Sequence, residues 1–132
     1  MILIDASLAL AFVLDESNDA ADAALERVLK DGGVVPLLFW EEVSNVLVSS
    51  VRSGRLNAAA AGRAMELLQQ LPLQTVHSPA GGSELMALAE ANSLTAYDAR
   101  YLGLAISGGF ELGTLDKALI KAAHKVGAPV IP

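Results

Sequence analysis

The sequence predicts an α/β fold, a three-layer α/β/α sandwich around a short central parallel sheet. Two observations carry this expectation. Apolar runs of strand length alternate along the chain with longer segments of helical periodicity. The strand-like runs are also apolar throughout, as parallel strands covered on both faces should be. Ile2–Ile4 is the first run, too short for a helix and ended by Asp5; a helix from Ala6 to about Leu14 follows. After the polar break Ser17–Asn18–Asp19, the segment from Asp19 to Lys30 places Ala20, Ala24 and Val28 along one side and ends at Gly32–Gly33. Val34–Leu37 is the second strand. The helix from Phe39 to about Ser53 then carries Phe39, Val43, Val46, Leu47 and Ser50 on one side and closes at Gly54.

Asn57 supplies an N-cap for an alanine-rich helix running to about Gln70, stopped by Leu71–Pro72. Leu73–Val76 is the third strand. Ser78–Pro79 is expected to open a helix reaching Ala91, because proline is tolerated in a first turn. A helix from Thr95 to about Ile106 ends at Gly108–Gly109, followed by strand Glu111–Thr114, helix Leu115–Val126 and a closing strand Pro129–Ile131. Right-handed crossovers would join these strands into one sheet.

At 132 residues the chain is expected to form one domain, residues 1–132, with enough length to bury a core without covalent staples. The absence of cysteine excludes disulfides, thiolate metal clusters and cysteine nucleophiles. A formal net charge of −6 excludes a uniformly basic nucleic-acid-binding coat, though not local basic patches. Asp5 interrupts what would be the start of a signal peptide, and no apolar run approaches the ~20 residues of a membrane helix. The expected location is cytoplasmic, with no membrane partner.

In open parallel sheets, ligands bind beyond the carboxyl ends of the strands. Asp5 and Asp116 fall just after strands, and Asp98 lies in the first turn of the helix opened by Thr95. Each has a purely structural reading. Asp5 caps a helix, Asp98 completes a Thr-x-x-Asp box, and Asp116 complements a helix dipole. Asp98, however, is in line with Leu102 and Ala105 on an apolar side, where a carboxylate needs a partner. Of the adjacent pair Glu41 and Glu42, the turn of about 100° per residue puts Glu41 opposite the apolar stripe. Glu42 falls at the stripe's margin, beside Asn45 one turn on, and is the better site residue.

If Asp5, Glu42, Asp98 and Asp116 converge, their repulsion must be compensated. Two carboxylates about 4 Å apart repel by roughly 4 kcal/mol at an effective dielectric of about 20. Either some are protonated or a cation is bound. All-oxygen donors favour Mg2+ or Mn2+ over zinc. Such a site suits phosphoryl transfer or phosphodiester hydrolysis.

The segments ILIDASL (Ile2–Leu8), EVSNVL (Glu42–Leu47), TAYDARYLGLA (Thr95–Ala105) and GTLDKAL (Gly113–Leu119) resemble, in order and spacing, the motifs of PIN-domain nucleases. Among these the chain looks most like the VapC-type toxins of toxin–antitoxin pairs, over essentially its whole length. The resemblance implies that Asp5, Glu42, Asp98 and Asp116 form the catalytic quartet holding one or two Mg2+ or Mn2+ ions. Ser7, Asn45 and Thr114 match positions that support it. It also implies metal-dependent cleavage of RNA, a cognate antitoxin protein as partner, and a homodimer. Gly113 stands where such proteins more often carry a larger apolar residue, a departure that touches strand packing rather than ligation.

Net negative charge does not by itself oppose an RNA substrate, because basic residues cluster. Arg52, Arg55 and Arg63 follow the Glu42 helix; Lys117, Lys121 and Lys125 follow Asp116 at helical spacing; Arg100 is near Asp98. Arg52, Arg55, Arg100, Lys117 and Lys121 are the candidate RNA contacts, with solvated helix faces as the alternative. Trp40, Tyr97 and Tyr101 fall in helical patterns that suggest core rather than a stacking platform. No spacing links His77 or His124 to each other or to the acids.

Two rival functions have sequence tests. A phosphatase of the haloacid-dehalogenase type would place a second acid two residues beyond Asp5, where Ser7 stands. The other is a non-enzymatic interaction module, either a receiver-like switch or a degenerate, catalytically inactive nuclease fold acting only through its partner. A receiver would use an acidic pocket and a lysine, but the close acidic pair of receivers is missing around Asp5.

Overall fold

The computed structural model describes residues 1–14, 16 and 18–131. Ser17, in the expected break before the second helix, lies outside the described residues. Twelve elements follow in the order β1 (Ile2–Ile4), α1 (Ala6–Val13), α2 (Asp19–Asp31), β2 (Gly33–Pro36), α3 (Leu37–Arg52), α4 (Ala58–Gln70), β3 (Leu73–Val76), α5 (Gly82–Asn92), α6 (Ala96–Gly108), β4 (Glu111–Gly113), α7 (Lys117–Val126) and β5 (Val130–Ile131). The five strands pair in the order β3-β2-β1-β4-β5, all parallel.

This order fixes the layers. The chain steps outward from β1 through β2 to β3, then returns across the sheet to β4 and steps outward the other way to β5. With right-handed crossovers, α1–α4 cover one face and α5–α7 the other. The packing agrees, since α1 lies against α2 and α4, while α6 lies against α5 and α7. Ile2, Leu3 and Ile4 of β1, in the sheet centre, join Val34, Val35, Phe39, Val43, Leu102, Leu112 and Leu119 in one core.

The helix ends are chemically marked. Asn57 Oδ1 accepts from Ala60 N–H at 2.8 Å, and Thr95 Oγ1 accepts from Asp98 N–H at 3.1 Å. Gly32 closes α2 at φ +79°, a conformation that costs glycine little. Gly113 is used for space instead. A Cβ there would stand 3.0 Å from both Ile2 Cδ1 and Leu8 Cδ2. Gly113→Val is therefore expected to destabilise the fold by about 1–3 kcal/mol through overpacking, as read by urea denaturation.

Four local expectations are corrected. The helix expected from Ser78–Pro79 begins at Gly82, so residues 78–81 form a loop. Val46, placed in the buried stripe of α3, is 37% exposed. Tyr97, expected in the core, projects from it. The strands are not uniformly buried either. β3 is an edge strand with Gln74 and Thr75 exposed, and β5, the other edge, is only half-buried. No helix among the described residues is long and apolar enough to cross a membrane.

Candidate active site

The order in which the chain adds strands reverses between β1 and β4, and the acids of interest bracket that point. Asp5 ends β1, and its N–H donates to the carbonyl of Gly113 on β4 at 3.1 Å. Asp116 lies three residues beyond β4, Glu42 in the second turn of α3 after β2, and Asp98 in the first turn of α6.

Asp5 is buried, with 5% exposure, and is held from three directions. Its Oδ1 accepts from Ser7 Oγ at 2.7 Å and from Leu8 N–H at 3.0 Å, while Oδ2 accepts from the Thr114 hydroxyl. Both hydroxyls also accept in turn. Ser7 Oγ takes the Leu115 N–H at 3.2 Å, and Thr114 Oγ1 takes the Asp116 N–H at 3.0 Å. Ser7 and Thr114 thus join the loop after β1 to the loop after β4. Asp116 Oδ1 caps α7 by accepting from Ala118 and Leu119 N–H at 2.9 and 3.1 Å.

Sequence reasoning placed Tyr101 in the core and missed its second role. Its ring is buried, but its hydroxyl donates to Glu42 Oε1 at 2.6 Å. The available signal was spacing, because Tyr101 follows Asp98 by three residues and so shares its side of α6. Burial and the bond to Glu42 push the phenol far above its ordinary range, so it remains a donor at any working pH.

The electrostatics tie the four acids together. Burial raises the Asp5 carboxyl above its ordinary value, against hydrogen bonds from Thr114, Ser7 and the Leu8 amide, and Asp116 adds repulsion. Burial also raises Glu42; the Tyr101 hydrogen bond opposes this, and repulsion from Asp5 and Asp98 reinforces it. Asp98 is raised by burial and by Asp116, with Thr95 opposing. Every member of the quartet therefore feels another member. Among the described residues the ion pairs all belong to Arg27, with Asp31 and Glu111, far from these acids.

The quartet is not a ready-made cage. Among the described residues no group of three or more His, Asp or Glu side chains is gathered to hold a metal ion as it stands. Asp5 and Glu42 already spend oxygens on hydroxyl donors, and Asp116 spends one on its cap. What the site offers is oxygen donors that repel one another and, among the described residues, have no ion-pair partner. That donor set fits a hard divalent cation that keeps several of its own waters.

The remaining sequence-derived residues are more dispersed. Asn45 is exposed and shares a cavity wall with Glu42. Lys117 and Lys121 are exposed on the first turns of α7, beside Asp116. Arg100 Nη1 donates to Ser78 Oγ at 3.3 Å and to the Ala80 carbonyl at 3.0 Å. Arg52 lies ten residues beyond Glu42 on α3, about 15 Å along its axis at the usual helical rise. Arg55 lies just past that helix, and both are exposed. Lys125 Nζ donates to the Ala91 carbonyl at 2.7 Å, and His77 and His124 are exposed.

A parallel α/β/α sandwich with acids at its switch point defines the class, and comparison supplies the family. The chain belongs to the PIN domain family, whose model matches residues 2–125. PIN domains are generally nucleases and generally use divalent metal ions. Among solved structures, the chain is similar to PAE2754 from Pyrobaculum aerophilum, at 28% identity and a TM-score of 0.75, covering 98% of this chain and 88% of that one. It also shares the fold of a chain in a toxin-antitoxin complex from Klebsiella pneumoniae, at 21% identity and a TM-score of 0.58, covering 85% of this chain and 83% of the other. No curated protein sequence matches it.

Proposed function

We propose that the chain is a metal-dependent endoribonuclease that hydrolyses RNA phosphodiester bonds and serves as the toxin of a toxin–antitoxin pair. One observation carries the reading: Asp5, Glu42, Asp98 and Asp116 bracket the sheet's switch point, repulsion within the set helps hold the Asp5, Glu42 and Asp98 carboxyls above their ordinary values, and among the described residues none of the four has an ion-pair partner. In this reading they hold Mg2+ or Mn2+, one or two ions. Such an ion supplies Lewis-acid charge beside the scissile phosphate and acidifies a coordinated water.

The chain's own residues do the positioning. Ser7 and Thr114 fix both oxygens of Asp5, so that carboxylate is oriented before any ligand arrives. Tyr101 aims Glu42 from the opposite helix. Asp98 and Asp116 contribute further oxygens, and Lys117 offers a cation to a neighbouring substrate phosphate. Arg52 and Arg55 would reach only more distant parts of a bound strand. The toxin role rests on the four sequence motifs and on the fold shared with the Klebsiella complex. A cognate antitoxin, a homodimer and a cytoplasmic setting belong to the same proposal.

The lack of a preformed cage favours one rival, a catalytically inactive PIN-like module acting through a protein partner. A Mn2+ titration with RNA present separates the two. Saturable Mn2+ binding accompanied by RNA cleavage is expected. Binding without cleavage of any RNA, or no binding, would overturn the nuclease reading.

A further inference from the structure

Tyr97 is 63% exposed on the first turn of α6, immediately before Asp98. It lines two cavities. One, of about 360 Å3, also contains Glu42 and Asn45. The other, of about 460 Å3, extends to His77 and the loop at residues 78–80. Leu38, Glu41 and Tyr97 line both, so the two are lobes of one cleft. Its far wall is braced, because Arg100 holds Ser78 Oγ and the Ala80 carbonyl. The cleft adjoins the acids by covalent connection: Glu41 precedes Glu42 as Tyr97 precedes Asp98.

We propose that this cleft is a nucleobase subsite, in which an unpaired guanine stacks on the Tyr97 ring and donates its N1–H and N2–H to the Glu41 carboxylate. The inference rests on the ribonuclease reading and names its substrate preference. An exposed aromatic ring beside a phosphate-cleaving centre suits single-stranded nucleic acid, since every base has a face to stack. Stacking alone therefore supplies affinity without choice. The choice comes from Glu41, whose carboxylate only accepts hydrogen bonds. Guanine presents two adjacent N–H donors on its pairing edge. Uracil presents one N–H between two carbonyls, while adenine and cytosine each set an amino group beside a ring acceptor. The acidic wall thus favours guanine and leaves the other bases with an acceptor facing an acceptor.

The test is fluorescence anisotropy with two short labelled single-stranded RNAs, one all-uracil and one with a central guanine, in EDTA so that binding is read without turnover. Wild type is expected to bind the guanine RNA on the order of tenfold more tightly. Tyr97→Ala should weaken binding of both RNAs on the order of tenfold, and Tyr97→Phe, which keeps the ring, should restore it. Glu41→Gln should bring the guanine RNA down to the level of the all-uracil one. Equal wild-type affinity for the two RNAs, unaltered binding by Tyr97→Ala, or failure to bind either RNA would overturn the subsite; the last result would leave the cleft to a protein partner. Guanine-selective binding without cleavage in Mn2+ would sink the nuclease reading while supporting the subsite. Cleavage of both RNAs at equal rates, unchanged by Tyr97→Ala, would do the reverse.

Discussion

Asp98→Asn is expected to lower RNA cleavage on the order of a thousandfold without lowering the melting temperature. Asp98 is half-buried near Asp116 and Glu42, and the one side chain that hydrogen-bonds its carboxylate is Thr95, a contact that the amide oxygen of asparagine can keep. Its backbone N–H also donates to Thr95 Oγ1, a bond that the substitution leaves in place. The substitution therefore removes one negative charge, and one oxygen of the proposed metal site, with little local repacking. The scale is that of deleting one preorganised electrostatic contact in an active site. Asp5→Asn should behave alike in cleavage, since asparagine remains a competent N-cap for the Leu8 amide. Single-turnover cleavage of labelled RNA, with thermal melts as the control for folding, measures both effects. Full activity in both variants would remove the quartet from the mechanism.

The second large effect is a coupling of stability to pH and metal. Burial raises Asp5 above its ordinary 3.8, so the folded chain binds that proton more tightly than the unfolded chain does. The associated stability is complete below about pH 3.8 and is lost as pH rises through the folded-state value. Glu42 and Asp98 act in the same sense. In EDTA, the melting temperature of Asp5→Asn relative to wild type should therefore climb as pH is raised from about 4 to 7. Mn2+ should reverse the deficit at pH 7. At a hundredfold excess over Kd, binding adds about 2.7 kcal/mol, on the order of 10 °C for a chain of this size. The gain should shrink in Asp5→Asn. Parallel melting curves across pH, together with no shift in Mn2+, would show that the acids are neither strained nor metal-binding.

Much of this architecture was legible because local chemistry announces it. β1 and β3 have the expected bounds, and Asn57 and Thr95 cap the helices they were expected to cap. Aspartates next to strand ends could be placed at the sheet's carboxyl edge without knowing strand order. Legibility stopped where long-range contacts decide. Proline at position 79 permits a helix but does not start one, and Arg100, reaching from α6, holds residues 78 and 80 in a loop. The exposure of β3 follows from its place at the edge, which an apolar run cannot reveal. Tyr101 and Tyr97 show the same limit from opposite sides. Both fit a helical apolar pattern, yet one reaches Glu42 from the core and the other faces outward.

The hydroxyl bridges through Ser7 and Thr114, with the caps made by Asp5 and Asp116, have a consequence for how this chain can change. Two of the four acids are also joints of the scaffold. Replacing either by alanine removes a helix cap worth about 1 kcal/mol along with the charge. Loss of function by such routes carries a folding penalty, and asparagine is the replacement that separates the two. A lineage silencing this protein would pass more easily through Glu42 or Asp98, which cap no helix, than through the two acids that hold its loops together.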